Sequence, residues 1–140
     1  MDTFEKLMNQ WEHTLNADHE LGERNKSPYS TIEGKAAIQL EVGKQTPYSV
    51  HVKDGKFSIR KGMADRPLLC WQVPGSVFKE VLLGKHRLIF SILDPAARLS
   101  FDTPNFTHWN GATIIEMLLL AHEMTAQNQE ISKIVEGLES

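Results

Sequence analysis

The dipeptide Asp54-Gly55, held between Lys53 and Lys56, constrains this chain more than any other feature. It is the pair favoured in a two-residue type I′ hairpin turn, because both positions need a left-handed backbone. A turn of that length decides which residues face each other: Val52 against Phe57, Val50 against Ile59 and Tyr48 against Lys61. The apolar members then share one face of the ribbon, while Ser49, His51, Lys53, Lys56, Ser58 and Arg60 share the other. Upstream, Ala36, Ile38, Leu40 and Val42 alternate with Ala37, Gln39 and Glu41. This predicts another strand with one wet face, turned into the hairpin through Gly43-Lys44. The expected sheet has one covered and one solvated face.

Helical spacing appears at both ends. Phe4, Leu7, Met8, Trp11 and Leu15 recur behind Asp2, with Glu5 in capping-box position, and predict a helix over about residues 3 to 18. From Asp18 to Tyr29 the chain turns polar without periodicity and reads as a loop. Leu68 to Val73 reads as a more buried strand, and Pro74 opens a short helix carrying Val77, Phe78, Val81 and Leu82, ended by Gly84. Leu88 to Leu93 reads as helix. Ala97, Leu99 and Phe101, alternating with Arg98, Ser100 and Asp102, read as a last strand. After a loop over about Thr103 to Gly111, one long helix is expected from Ala112 to near Leu138, with Ile114, Met117, Ala121, Met124, Ile131 and Val135 on one face. Helices and strands in this order make an α+β chain.

The 140 residues suit one domain, residues 1–140, able to bury roughly 70% of its unfolded surface. A formal charge of −3 with 15 Lys+Arg argues against a nucleic-acid partner. The single cysteine, Cys70, forms no internal disulfide, Met1-Asp2-Thr3-Phe4-Glu5 has no signal-peptide character, and no stretch approaches the ~20 apolar residues of a membrane span. A cytoplasmic protein is expected. The sequence holds no phosphate-binding glycine loop, no nucleophile elbow and no His-Glu-x-x-His motif. The histidines at 13, 19, 51, 86, 108 and 122 form no pair at ligand spacing. No catalytic residue, metal or cofactor is therefore expected, and Cys70, in an apolar strand without a cationic neighbour, reads as an inert thiol.

Several stretches resemble the sterol carrier protein type 2 domain, a lipid-binding family. They are Tyr48 to Ile59, then Gly62 with Ala64-Asp65, then the strand through Val73, and Val77-Phe78-Lys79-Glu80-Val81-Leu82-Leu83-Gly84-Lys85, which looks like the family's short helix with its Gly-Lys ending. With the first and last helices the resemblance covers most of the chain. Ala97 to Asp102 departs from the family's glycine pairs near the last strand, the loop Thr103 to Asn110 is longer, and Gly137-Leu138-Glu139-Ser140 is no peroxisomal address.

The resemblance implies a five-stranded mixed, largely antiparallel sheet with helices covering one face and an internal apolar tunnel. It also implies non-enzymatic binding or transfer of a fatty acid, acyl-CoA, sterol, hopanoid or quinone. Trp71, Phe78, Phe90, Phe101, Met117 and Leu118 are the large apolar residues expected to line the tunnel, and each also reads as plain core. Phe106 and Trp109, two aromatics in a polar loop, are expected at its mouth, where they gate entry or touch a membrane. The alternative is an accessory protein of the same fold, presenting a lipid-like intermediate. It would associate with a second copy or an enzyme through Ile131, Ile134, Val135 and Leu138 on the final helix. A hydrolase or transferase would need a polar cluster in the cavity.

Overall fold

The hairpin forms as its turn chemistry requires. In the computed structural model, which describes residues 2–26, 32–88 and 94–138, Asp54 and Gly55 take φ values of 54° and 74°. They join β2 (Tyr48–Lys53) to β3 (Lys56–Lys61) with the expected partners, Val52 with Phe57, Val50 with Ile59 and Tyr48 with Lys61. β1 (Ala36–Val42) runs antiparallel to β2 and parallel to β4 (Leu69–Val73), and β5 (Arg98–Phe101) runs antiparallel to β4. Among the described residues these strands form one mixed five-stranded sheet in the order β3-β2-β1-β4-β5.

The central place of β1 changes its expected character. It is not half wet: Ala37 and Gln39, on the face opposite Ile38 and Leu40, are both fully buried. A strand that enters a parallel pair needs a long crossover, and here the chain from β3 to β4 passes over that face. The Gln39 amide ties it down, accepting from Ala64 N at 2.6 Å and donating to Tyr48 O at 3.3 Å. A lone polar residue in an alternating pattern thus marks a covered face, with its hydrogen bonds satisfied.

α1 (Thr3–Ala17) starts at Asp2, whose Oδ1 accepts from Glu5 N at 2.8 Å. Its apolar stripe of Phe4, Leu7, Met8, Trp11 and Leu15 is buried. Its flank serves the free edge of β3. Asn16 accepts from Phe57 N and donates to Phe57 O, both at 2.9 Å, and Glu12 accepts from Ile59 N at 2.7 Å. One turn of helix therefore occupies the backbone groups an exposed edge would offer to another chain.

Beyond α1 the chain departs from the expected elements. The segment after Asp18 is helical: α2 (His19–Lys26) begins where Asp18 Oδ1 accepts from Leu21 N at 2.8 Å, and Leu21 is its buried anchor. Too short and polar to show a period, it is visible only through its cap. α3 (Gly75–Leu82) follows Pro74 as expected. The long C-terminal helix is two helices, α4 (His108–Gln127) and α5 (Gln129–Glu136). Asn128 between them is extended at φ −129° and ψ 114°, and its side chain caps α5 by accepting from Glu130 N at 2.9 Å and Ile131 N at 3.3 Å. The break folds α5 back, so Ile131, Val135 and Leu138 are buried in the common core and Ile134 packs against it. They do not extend past the body to meet a partner. Asn128→Ala is expected to cost about 1 kcal/mol of stability. Denaturant unfolding measures this, and an unchanged midpoint would contradict the cap. Of the helix expected over Leu88 to Leu93, only Leu88 lies among the described residues.

Candidate functional site

α1, α3 and α4 meet the covered face of the sheet at β1 and β4, where Leu40 and Trp71 stand side by side in the parallel register. The side chains there enclose an apolar pocket. Leu7, Met8 and Trp11 come from α1, Phe78, Val81 and Leu82 from α3, and Leu118, Ala121 and Met124 from α4, with Leu88 closing one side. An aromatic file leads from the hairpin to the pocket wall: Tyr48 to Phe4 at 5.5 Å between centroids, Phe4 to Phe78 at 6.1 Å, and Phe78 to Trp71 at 6.1 Å, of which Phe78 and Trp71 line the pocket. The expected tunnel is not open. The void left at the centre is about 10 Å³, roughly the room of one water molecule.

The two tryptophans of this wall differ in their polar ends. Trp11 Nε1 donates to Met117 O at 2.9 Å, tying α1 to α4. Trp71 is equally buried, yet its Nε1 has no hydrogen-bond partner among the described residues. Buried indole N–H groups usually find an acceptor.

Of the residues singled out from the sequence, the structure brings Trp71, Phe78 and Leu118 together on the pocket wall. Met117 is buried beside them and contributes its carbonyl to Trp11. Phe101 lies on the edge strand β5, more than two-fifths exposed, and stacks edge-on with Phe106 at 4.7 Å. Phe106 in turn packs over Gly111, where an added Cβ would stand 3.4 Å from its ring. Phe90 and the Trp109 side chain are outside the described residues. Leu7, Met8 and Trp11 were legible as a buried stripe but not as pocket wall, because the facing helix is far away in sequence. Small Ala121, on the predicted apolar face of the last helix, is the one signal of space there.

A wider cleft of about 500 Å³ opens on the outer side of α1 and α4, lined by polar groups such as Gln10, His13, Glu123 and Gln127. Met124 lines both this cleft and the closed pocket. Its flexible thioether chain is all that the two share.

Among the described residues, titratable groups keep to the outside of this pocket. Cys70 lies on the opposite face of β4, half-buried, and donates from Sγ to Glu41 Oε2 at 3.1 Å. Burial, helped by that carboxylate, pushes the thiol up to about 11. Alkylation by iodoacetamide at pH 8 is therefore expected to be roughly a hundredfold slower than for an unperturbed thiol, and a rate like that of free cysteine would contradict the contact. Burial, with Arg60 adding, holds His51 below its ordinary value, beside a Ser49 hydroxyl 2.8 Å away. His122 Nδ1 lies 3.1 Å from Leu82 O, and its ring packs on Gly84, where φ is +75°. It joins α4 to the end of α3. Among the described residues no cluster of His, Cys, Asp and Glu could hold a metal, and no helix is long and apolar enough to cross a membrane.

The whole arrangement has close counterparts among solved structures. Sterol carrier protein domain 2 of Helicoverpa armigera matches over 86% of this chain and 89% of its own, with a TM-score of 0.62 at 12% identity. The chain has the sterol carrier protein type 2 fold. A second structure, sterol carrier protein 2, covers 84% of this chain and 95% of its own, with a TM-score of 0.60 at 12% identity. A UbiJ-SCP2 ubiquinone synthesis protein covers 86% and 88%, with a TM-score of 0.56 at 13% identity. The sequence itself matches no family model and no curated protein. What this chain shares with these solved structures, at 12–13% identity, is the path of its backbone.

Proposed function

We propose that this chain binds an apolar, lipid-like small molecule between α1, α3, α4 and the sheet, as a carrier or presenter without chemistry of its own, in the cytoplasm. The observation that carries the reading is the pocket wall: every described residue on it is apolar or aromatic, on a fold whose named examples include sterol carrier proteins. An apolar chain gains ~0.8 kcal/mol for each CH₂ it removes from water, so such a wall holds a ligand with little polar recognition. Because the void is small, binding proceeds by displacement. Rotation of Met124, which separates the pocket from the cleft between α1 and α4, is the simplest way in.

The test is titration with a neutral naphthyl ketone dye carrying a long acyl tail, excited by energy transfer from Trp11 and Trp71. Saturable emission at one dye per chain is expected. No saturable signal, at any dye concentration below its own aggregation, would overturn the reading.

A presenting role for an enzyme partner is the second reading. With the apolar side of α5 buried in the core, it rests on Ile115 and Leu119 instead, both more than two-fifths exposed one turn apart on α4.

A further inference from the structure

We infer that the indole N–H of Trp71 is the polar anchor of the pocket, donating to a neutral oxygen on the ligand. This rests on the pocket being the ligand site. Trp71 is only 2% exposed, and its Nε1 lacks an acceptor among the described residues, whereas Trp11 in the same wall has one. Its described neighbours offer no side-chain acceptor: Leu40 is beside it on β1, Phe78 meets it edge-on at 6.1 Å, and the rest of the described wall is aliphatic, thioether or the Trp11 indole, which only donates. A buried donor left unpaired has lost its water without return, and an incoming acceptor recovers that loss.

The chemistry narrows the ligand. An indole only donates, so the ligand must offer an acceptor at depth. Among the described residues no charged side chain lines the pocket, so an ionised carboxylate or phosphate would lie unpaired in a poorly solvated wall, at a cost one neutral hydrogen bond cannot offset. The groups that fit are a carbonyl, ether or hydroxyl. Among the ligand classes implied by the sequence resemblance, a quinone or a sterol has its oxygen in that form, while a fatty acid or acyl-CoA has to leave its head outside. With no titratable group on the wall among the described residues, affinity for a neutral ligand is expected to stay level between pH 6 and pH 9.

The test compares undecan-2-one with undecane on the intact protein, as displacers of the naphthyl ketone dye and by the indole N–H signals in proton–nitrogen NMR, with Trp71→Phe assigning the Trp71 signal. The ketone is expected to bind about tenfold more tightly than the alkane and to move the Trp71 N–H downfield, and in Trp71→Phe the preference is expected to vanish while both still bind. Equal binding of the two with the Trp71 signal unmoved overturns the anchor and leaves the pocket standing, as does a Trp71 N–H already hydrogen-bonded in the empty protein. If Trp71→Phe does not fold, its signal is assigned by elimination with Trp11→Phe and Trp109→Phe, and the wild-type shift decides alone. Failure of the dye itself to bind overturns both the anchor and the function proposed for the pocket.

Discussion

Ala121→Leu is expected to weaken uptake of an apolar ligand about fiftyfold. Ala121 is buried on α4 and its methyl forms part of the pocket wall. Leucine adds three carbons where the open void is only about 10 Å³, so it occupies space that ligand methylenes would otherwise take. At ~0.8 kcal/mol for each CH₂ displaced, the loss is about 2.4 kcal/mol. Overpacking costs ~1–3 kcal/mol of stability if the site cannot yield, and the gain in apolar contact offsets part of it. Ile115→Ser, exposed on the same helix, is the control: dye affinity should hold there. Equal affinities in wild type and Ala121→Leu would place the ligand elsewhere.

Trp11→Ala is expected to be the most destabilising change, at about 3–5 kcal/mol, with a fall in Tm of roughly 10–15 °C. Trp11 is almost fully buried, forms one wall of the pocket and donates across to Met117 O. Trp11→Phe retains most of the ring and loses the donor, so it should cost nearer 1–2 kcal/mol. Thermal unfolding of the two variants separates volume from hydrogen bond. If Trp11→Ala melts within a few degrees of wild type, the helices are not held to the sheet through this residue.

The two substitutions bracket what the sequence discloses. The hairpin was legible to the residue because Asp54-Gly55 sets the loop length, and loop length sets register and face together. α1 and α3 were legible because each has a stop or start signal next to a helical apolar stripe. α2 was not, since a short polar helix with one buried residue, Leu21, has no period to read. The break at Asn128 was hidden by the apolar stripe, which continues through Ile131 and Val135 even though the axis turns, and only the cap chemistry of Asn128 betrays it. Gln39 shows the same limit in a strand: its alternation correctly puts it opposite Ile38, but nothing local says that residues 62–64 cover that side.

For the candidate site, Trp71, Phe78 and Leu118 carry large apolar side chains in elements with clear periods, and these the sequence could nominate. Phe101 has the same alternation, but on the edge strand β5 its ring is partly exposed and stacks on Phe106 instead of lining the pocket. The unpaired donor of Trp71 has no sequence signature at all. It exists because, among the described residues, Leu40, Phe78 and the other side chains around it offer no acceptor, which is a property of the packed core.

The most direct measurement of the central claim is native mass spectrometry of the freshly purified chain, followed by solvent extraction of whatever dissociates. Binding of an apolar ligand between the helices and the sheet predicts a mass above that of the polypeptide, released as a neutral, oxygen-bearing lipid in a ratio near one per chain. A bare polypeptide mass, together with no uptake of the ketone dye, would mean that Leu7, Trp11, Phe78 and Leu118 fill their own core permanently, and would contradict the account.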